Sequence, residues 1–144
     1  MIQLVSFNFS KISAERHLNF TLQNINTNIE FISIDKDKLD LIKDNEILNI
    51  KFKLTISYTK KEDKKTEEEK QGEVFFEGNL IVSTDKEEAK NILKQWKKKE
   101  INPQIKLPLF NTILERCAAK ALKLEEEVNL PFHIPIPKIQ PKQQ

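Results

Sequence analysis

Eleven consecutive residues alternate without a miss. Leu48, Ile50, Phe52, Leu54, Ile56 and Tyr58 hold one parity, and Asn49, Lys51, Lys53, Thr55 and Ser57 hold the other. Successive side chains of a strand point to opposite faces, so this segment folds as a strand with one buried and one wet face. Val5, Phe7 and Phe9 repeat the pattern, as do Ile25, Ile29 and Phe31, and later Phe76, Gly78, Leu80 and Val82. Four strands are predicted, over roughly 2–12, 19–34, 46–59 and 73–83. A wet face on each favours antiparallel pairing, because parallel strands usually bury both faces.

The period then changes. Thr84-Asp85-Lys86-Glu87 has the spacing of a capping box, and Ala89, Ile92, Leu93 and Trp96 follow at i, i+3, i+4 and i+7. A helix over about 85–99 is expected, ending in Lys97-Lys98-Lys99, which suits its carbonyl end. Asn102-Pro103 breaks it, and Pro108 marks the start of a second helix. Phe110, Leu114, Cys117, Ala121, Leu124 and Val128 continue that helix, and Leu109, Ile113, Ala118 and Leu122 widen its stripe enough to contact two surfaces. The segment from Leu130 to Ile139 is held extended by Pro131, Pro135 and Pro137, and it is apolar enough to lie partly on protein. The predicted class is α+β: one domain over 1–128 with a four-stranded antiparallel sheet followed by two helices (β-β-β-β-α-α), and a proline-rich extended tail over 129–144.

Many chemistries are excluded by what is scarce. Only Gly72 and Gly78 are glycines, so no phosphate-cradling loop can form and no nucleotide cofactor is expected. A single cysteine, Cys117, forms no internal disulfide and sits in the apolar seam of the second helix, where it reads as a small buried hydrophobe. His17 and His133 are the only histidines, and no metal site is expected from them. Ser33-Ile34-Asp35-Lys36 has an acyl-transfer spacing but closes a strand instead of opening a helix. The runs Glu67-Glu68-Glu69 and Glu125-Glu126-Glu127 read as solvated, whereas acid–base work needs a shielded carboxyl. The mixed-charge stretch from Lys60 to Gln71 reads as a solvated hairpin tip. Asp35 to Glu46 fails the calcium-loop register, since Asp40 stands where glycine is required. No catalytic residue is assigned, and the chain is expected not to be an enzyme.

Charge gives a similar answer for nucleic acid. The 24 Lys and Arg nearly balance 22 Asp and Glu, only Arg16 and Arg116 are arginine, and of the phenylalanines only Phe75 falls on a wet face. No nucleic-acid partner is expected. The amino terminus lacks a basic region before a long apolar run, and no stretch is apolar enough to span a bilayer. A cytoplasmic protein without membrane insertion is expected.

Apolar side chains are in surplus. Nine phenylalanines and eighteen isoleucines exceed what one face of such a sheet can hide. Val5, Phe7, Phe75, Ile81, the stripe Ala89/Ile92/Leu93/Trp96 and the tail isoleucines cannot all be covered on one side. Exposed apolar patches of this kind mark interfaces, which predicts self-association, a groove for other chains, or both.

Three stretches resemble the SecB family of export chaperones. Gly72-Glu73-Val74-Phe75-Phe76-Glu77-Gly78-Asn79-Leu80 is similar to that family's glycine-bearing fourth strand. Leu107-Pro108-Leu109-Phe110 is similar to the start of its long helix, and Asn129-Leu130-Pro131-Phe132-His133-Ile134-Pro135 to the segment after it. The resemblance implies an ATP-independent holdase that binds unfolded polypeptides in apolar grooves and assembles as a dimer or homotetramer, with a role in protein transport. It implies Phe75, Ile81, Leu109, Phe110, Ile113 and Phe132 as groove wall, and Ala89, Ile92, Leu93 and Trp96 as oligomer interface. Family members are acidic and engage the SecA ATPase, whereas this chain carries +2, so the Sec partnership does not follow. The alternative is a non-enzymatic structural or adaptor subunit whose apolar surface is consumed by permanent assembly.

Overall fold

The computed structural model describes residues 2–21, 24–37, 45–60 and 69–141. Four strands come first: β1 (Gln3–Arg16), β2 (Asn24–Asp37), β3 (Asn45–Lys60) and β4 (Glu69–Asp85). Two helices follow, α1 (Lys86–Lys97) and α2 (Pro103–Glu127). The predicted class holds; β1, β3 and β4 run longer than the alternation indicated, whereas β2 starts five residues after the predicted position 19 and continues to Asp37. Most of the expected hairpin tip (61–68) and of the linker that includes Asp40 (38–44) lies outside the described residues.

All pairings are antiparallel, in the order β1-β4-β3-β2. β2, β3 and β4 form a meander, and β1 pairs on the far side of β4, which is a Greek-key arrangement. The chain leaving β1 is held at the sheet's end by the Gln71 backbone and side chain. His17 N donates to Gln71 O at 2.8 Å and Thr21 N to Gln71 Oε1 at 2.8 Å. Phe20 lies 6.4 Å from the Tyr58 ring, over β3.

Register explains the two faces. Leu48, Ile50, Phe52, Leu54, Ile56 and Tyr58 lie opposite Val82, Leu80, Gly78, Phe76, Val74 and Gly72. This shared parity carries both helices. α1 packs on β3, β4 and β2, and α2 packs on β4 and β1. The buried cluster joins those strand residues to Ala89, Ile92, Leu109, Ile113, Cys117, Ala121 and Leu130. Each large side chain buried there contributes roughly 1.5–3 kcal/mol, an upper estimate against an extended chain. The other parity, with Lys51, Lys53, Glu73 and Glu77, forms the helix-free face.

Helix boundaries follow local chemistry, with two corrections to the sequence reading. The α1 cap is Asp85, whose side chain accepts Glu88 N at 2.7 Å; Thr84 still belongs to β4 and donates its hydroxyl to Glu88 Oε2 at 2.6 Å. That hydroxyl holds the Glu88 carboxyl below its usual range. α2 begins at Pro103, five residues before the predicted Pro108, because Asn102 caps it by accepting Gln104 N at 3.0 Å. Pro108 is therefore inside the helix. It has no N–H to donate to the carbonyl one turn back, and the surrounding turns carry it through.

Both helices end in a left-handed residue, Lys99 after α1 and Asn129 after α2, each at φ 58°. Glu100 N bonds Gln95 O at 3.1 Å, and Leu130 N bonds Glu125 O at 2.8 Å, the six-to-one link of a Schellman turn. The second of these turns the chain back and buries Leu130 against Gly72.

Candidate functional site

α2 is a ridge on the helix-bearing face, seated on Leu109, Ile113, Cys117 and Ala121. Clefts flank it on both sides. The cleft towards β1 has a volume of about 410 Å³, with Ile2, Leu4, Val82, Ile105, Pro108 and Leu109 as its apolar walls and Glu88, Gln104 and Thr112 at the rim. Farther along α2 the floor is aromatic: Arg116 lies 5.8 Å over the Phe7 ring and Lys120 5.4 Å over the Phe9 ring. Leu4 is 40% and Ile12 44% exposed, so much apolar surface on β1 remains uncovered.

β1 is also an edge strand. Among the described residues its outer side has no strand partner. Register shifts at Leu4/Ser6 and Phe9/Lys11 interrupt it, and a third at Phe31/Ser33 interrupts the opposite edge, β2. Bulges of this kind break an edge into short open segments and oppose unlimited sheet-to-sheet growth.

The cleft towards β2 measures about 280 Å³ and is lined by Ile29, Phe31, Trp96, Ile101 and Phe110, with Glu30, Lys99 and Lys106 around them. Phe31 and Phe110 meet edge to face at 4.9 Å. Lys99 sits 3.9 Å over the Trp96 ring and Lys106 5.2 Å over Phe110.

A third depression, about 480 Å³, lies at the end of α2 between Phe20, Leu130, Pro131 and Phe132. Beneath it Glu125 is fully buried, which corrects the expectation that its acidic run is solvated. Its carboxylate accepts the Tyr58 hydroxyl, His133 N at 3.0 Å, and His133 Nδ1 at 2.8 Å. Pro131 O, 2.9 Å from the Tyr58 hydroxyl oxygen, is a second acceptor within reach of its single proton. Burial, reinforced by the Glu125 carboxylate, pushes the Tyr58 phenol above its ordinary range. The cluster ties β3, the end of α2 and the start of the tail together. Two signals in the sequence point to it: Glu125 follows Ala121 by four residues in the buried seam, and Tyr58 closes the buried parity of β3 with a polar tip.

The ten residues predicted for groove and interface separate in space. Phe110 lines the β2-side cleft, Leu109 the β1-side cleft, and Phe132 the depression at the end of α2. Ile113 is fully buried beneath α2. Phe75 and Ile81 lie on the helix-free face, opposite Thr55 and Asn49, where Lys11 covers the Phe75 ring at 5.3 Å. No single groove therefore joins all six. Of the stripe expected at an oligomer interface, Ala89 and Ile92 are consumed within the subunit, 2% and 1% exposed, because α1 docks that side of its stripe on its own sheet. Leu93 and Trp96 are half-buried. Leu4, Phe7, Phe9 and Phe31 were missed as cleft residues. Parity assigns Phe7, Phe9 and Phe31 to one face each, whereas Leu4, of the opposite parity to Phe7, reaches the helix-bearing face only through the bulge between Leu4 and Ser6; the sheet order then puts β1 beside α2.

Cys117 is buried at 1% exposure, and burial pushes its thiol up to about 12. A disulfide reagent at pH 8 is expected to leave it unmodified in the native protein and to label it fully in urea. The thiol of the unfolded chain ionises near its ordinary value while the native thiol stays protonated. The unfolded state thus holds fewer protons between about pH 9 and 12, and this thiol lowers stability as pH rises through that window. Cys117→Ala is expected to flatten the alkaline limb of stability measured against pH.

Among the described residues, no helix is long and apolar enough to cross a membrane, and no group of three metal-ligating side chains converges. No family model matches the chain, and no curated protein matches its sequence. Among solved structures it is similar to the Mycobacterium tuberculosis SecB-like chaperone Rv1957, solved in complex with a ChAD peptide from the Rv1956 HigA1 antitoxin. The TM-score is 0.46 with 13% sequence identity, and the match covers 98% of this chain and 93% of that one.

Proposed function

We propose that the chain is a non-enzymatic, ATP-independent holdase that keeps unfolded polypeptides soluble in the cytoplasm by binding apolar segments beside α2. The observation that carries this reading is the β1-side cleft. Apolar walls formed by Leu4, Ile105 and Leu109 adjoin a strand edge that has no partner among the described residues. An extended client segment can bury alternate side chains in the cleft and hydrogen-bond its main chain to the open edge of β1. The bulges of β1 suit a reversible grip, since they keep any added strand short.

Self-association as a dimer or homotetramer belongs to the same proposal. Exposed Val5, Ile12 and Leu114 supply apolar surface for it, in place of the part of the α1 stripe that the core consumes. Light scattering is expected to give a multiple of 16.9 kDa. A solitary 16.9 kDa species would count against assembly.

Without nucleotide, the protein is expected to suppress aggregation of an unrelated, thermally unfolding enzyme. Leu4→Asp places a charge in the cleft wall at a position already 40% exposed, so folding should change little. Losing the burial of one such side chain in a bound client should weaken binding roughly tenfold, in proportion to about 1–2 kcal/mol. Undiminished suppression by this variant would remove the β1-side cleft from the function. Absence of suppression by the unmodified protein would favour the adaptor alternative.

A further inference from the structure

The β2-side cleft sets two lysines over an aromatic floor. Lys99 lies against Trp96 and Lys106 against Phe110. Among the described residues neither ammonium forms an ion pair with a carboxylate. Glu30, the acidic residue at the rim, is already engaged by Lys53 at 3.3 Å and by Asn28 Nδ2 at 2.9 Å. The two lysines therefore cap the rings by default, as cations over aromatic faces. A ligand carboxylate offers each ammonium a stronger, charge-assisted partner. Drawing the ammoniums outward would uncover the Trp96 and Phe110 faces for an apolar side chain of the same ligand.

We infer that this cleft selects polypeptide segments in which an aromatic or large aliphatic residue is flanked by aspartate or glutamate. The inference rests on the holdase reading and adds a charge preference at a second cleft. A polypeptide fits better than a single-stranded nucleic acid. Phe31 and Phe110 meet edge to face at 4.9 Å, not as a parallel stacking platform, and the rim offers lysine without arginine.

Trp96 is the only tryptophan of the chain, so its fluorescence reports on this cleft alone. Three peptides of equal length, each with a central Phe-Leu flanked by Asp, Asn or Lys, are titrated into the full chain. The Asp peptide is expected to shift Trp96 emission saturably and to bind at least tenfold tighter than the Lys peptide. The advantage should shrink as salt rises from about 0.05 to 0.5 M, as exposed charges are screened. Lys99→Glu with Lys106→Glu is expected to reverse the order, with the Lys peptide then binding tighter than the Asp peptide. Equal binding of all three peptides would overturn the charge preference and leave an apolar cleft standing. No Trp96 response in a protein that still suppresses aggregation would overturn the site itself. No response together with no suppression would overturn the holdase reading beneath it. A Trp96 response to oligo-dT but not to the Asp peptide would replace the peptide with nucleic acid.

Discussion

Glu125→Ala is expected to destabilise the protein by about 3–5 kcal/mol, the range for removing one member of a buried, hydrogen-bonded charged cluster. The carboxylate is fully buried and holds Tyr58, His133 N and His133 Nδ1. Alanine leaves a void and strips the His133 donors of their acceptor, while Tyr58 keeps only Pro131 O. The loss should show as a lower urea midpoint at pH 7 and as faster proteolysis of the segment after Leu130. Glu125→Gln separates charge from shape. Its amide oxygen replaces one acceptor, and its NH2 group faces either the Tyr58 hydroxyl or the imidazole. The imidazole can answer by changing tautomer, so the cost should fall to roughly 1–2 kcal/mol. Equal stability of Glu125→Ala and the unmodified chain would show that the cluster holds nothing in place.

Gly78→Ala is expected to loosen β1 and lower stability by about 3 kcal/mol or more, at the top of the range for overpacking. Gly78 lies opposite Phe9 on one side and Phe52 on the other, in the middle of the sheet. A Cβ there would stand 2.0 Å from Asn8 O and 3.1 Å from Phe9 Cα. Both contacts are backbone, so no rotamer change relieves them and β1 must shift. Gly72 gives the contrast. Its added Cβ would meet the flexible Leu130 side chain at 2.9 Å and Glu15 O at 3.0 Å. Gly72→Ala should therefore cost less, and it should disturb the tail before the sheet. Hydrogen exchange checks both variants: in Gly78→Ala the β1 amides should lose protection first. Because β1 is one wall of the proposed client cleft, aggregation suppression should fall with it.

Legibility varied from residue to residue. The alternation through Tyr58 named the buried parity of β3 correctly, since that period is a local property of the chain. The α2 stripe was only partly right: Cys117 and Ala121 are buried, but the seam runs through Leu109 and Ile113 and leaves Leu114 exposed. The phase of β4 also separates Phe75 and Ile81 from Phe76 and Leu80, so their place on the helix-free face was readable from parity alone. Pro108 misled because proline is favoured at helix starts, yet Asn102 and Pro103 form a better cap five residues earlier. Glu125 was hidden by its neighbours: an acidic triplet reads as wet, while the helical period turns only one of the three inward.

Sequence by itself determined the identity and order of the elements and the parity buried by β3 and β4; in β1 and β2 the bulges switch the buried parity part-way along the strand. Backbone geometry ties side-chain direction to position, and hydrophobic burial then selects a parity. Only the tertiary structure decided that β1 pairs with β4 across the sheet, that both helices share one face, and that α2 leaves an apolar cleft on each flank. Those outcomes depend on pairings between residues far apart in the chain, where several arrangements satisfy the same local pattern and the packing of the whole selects one.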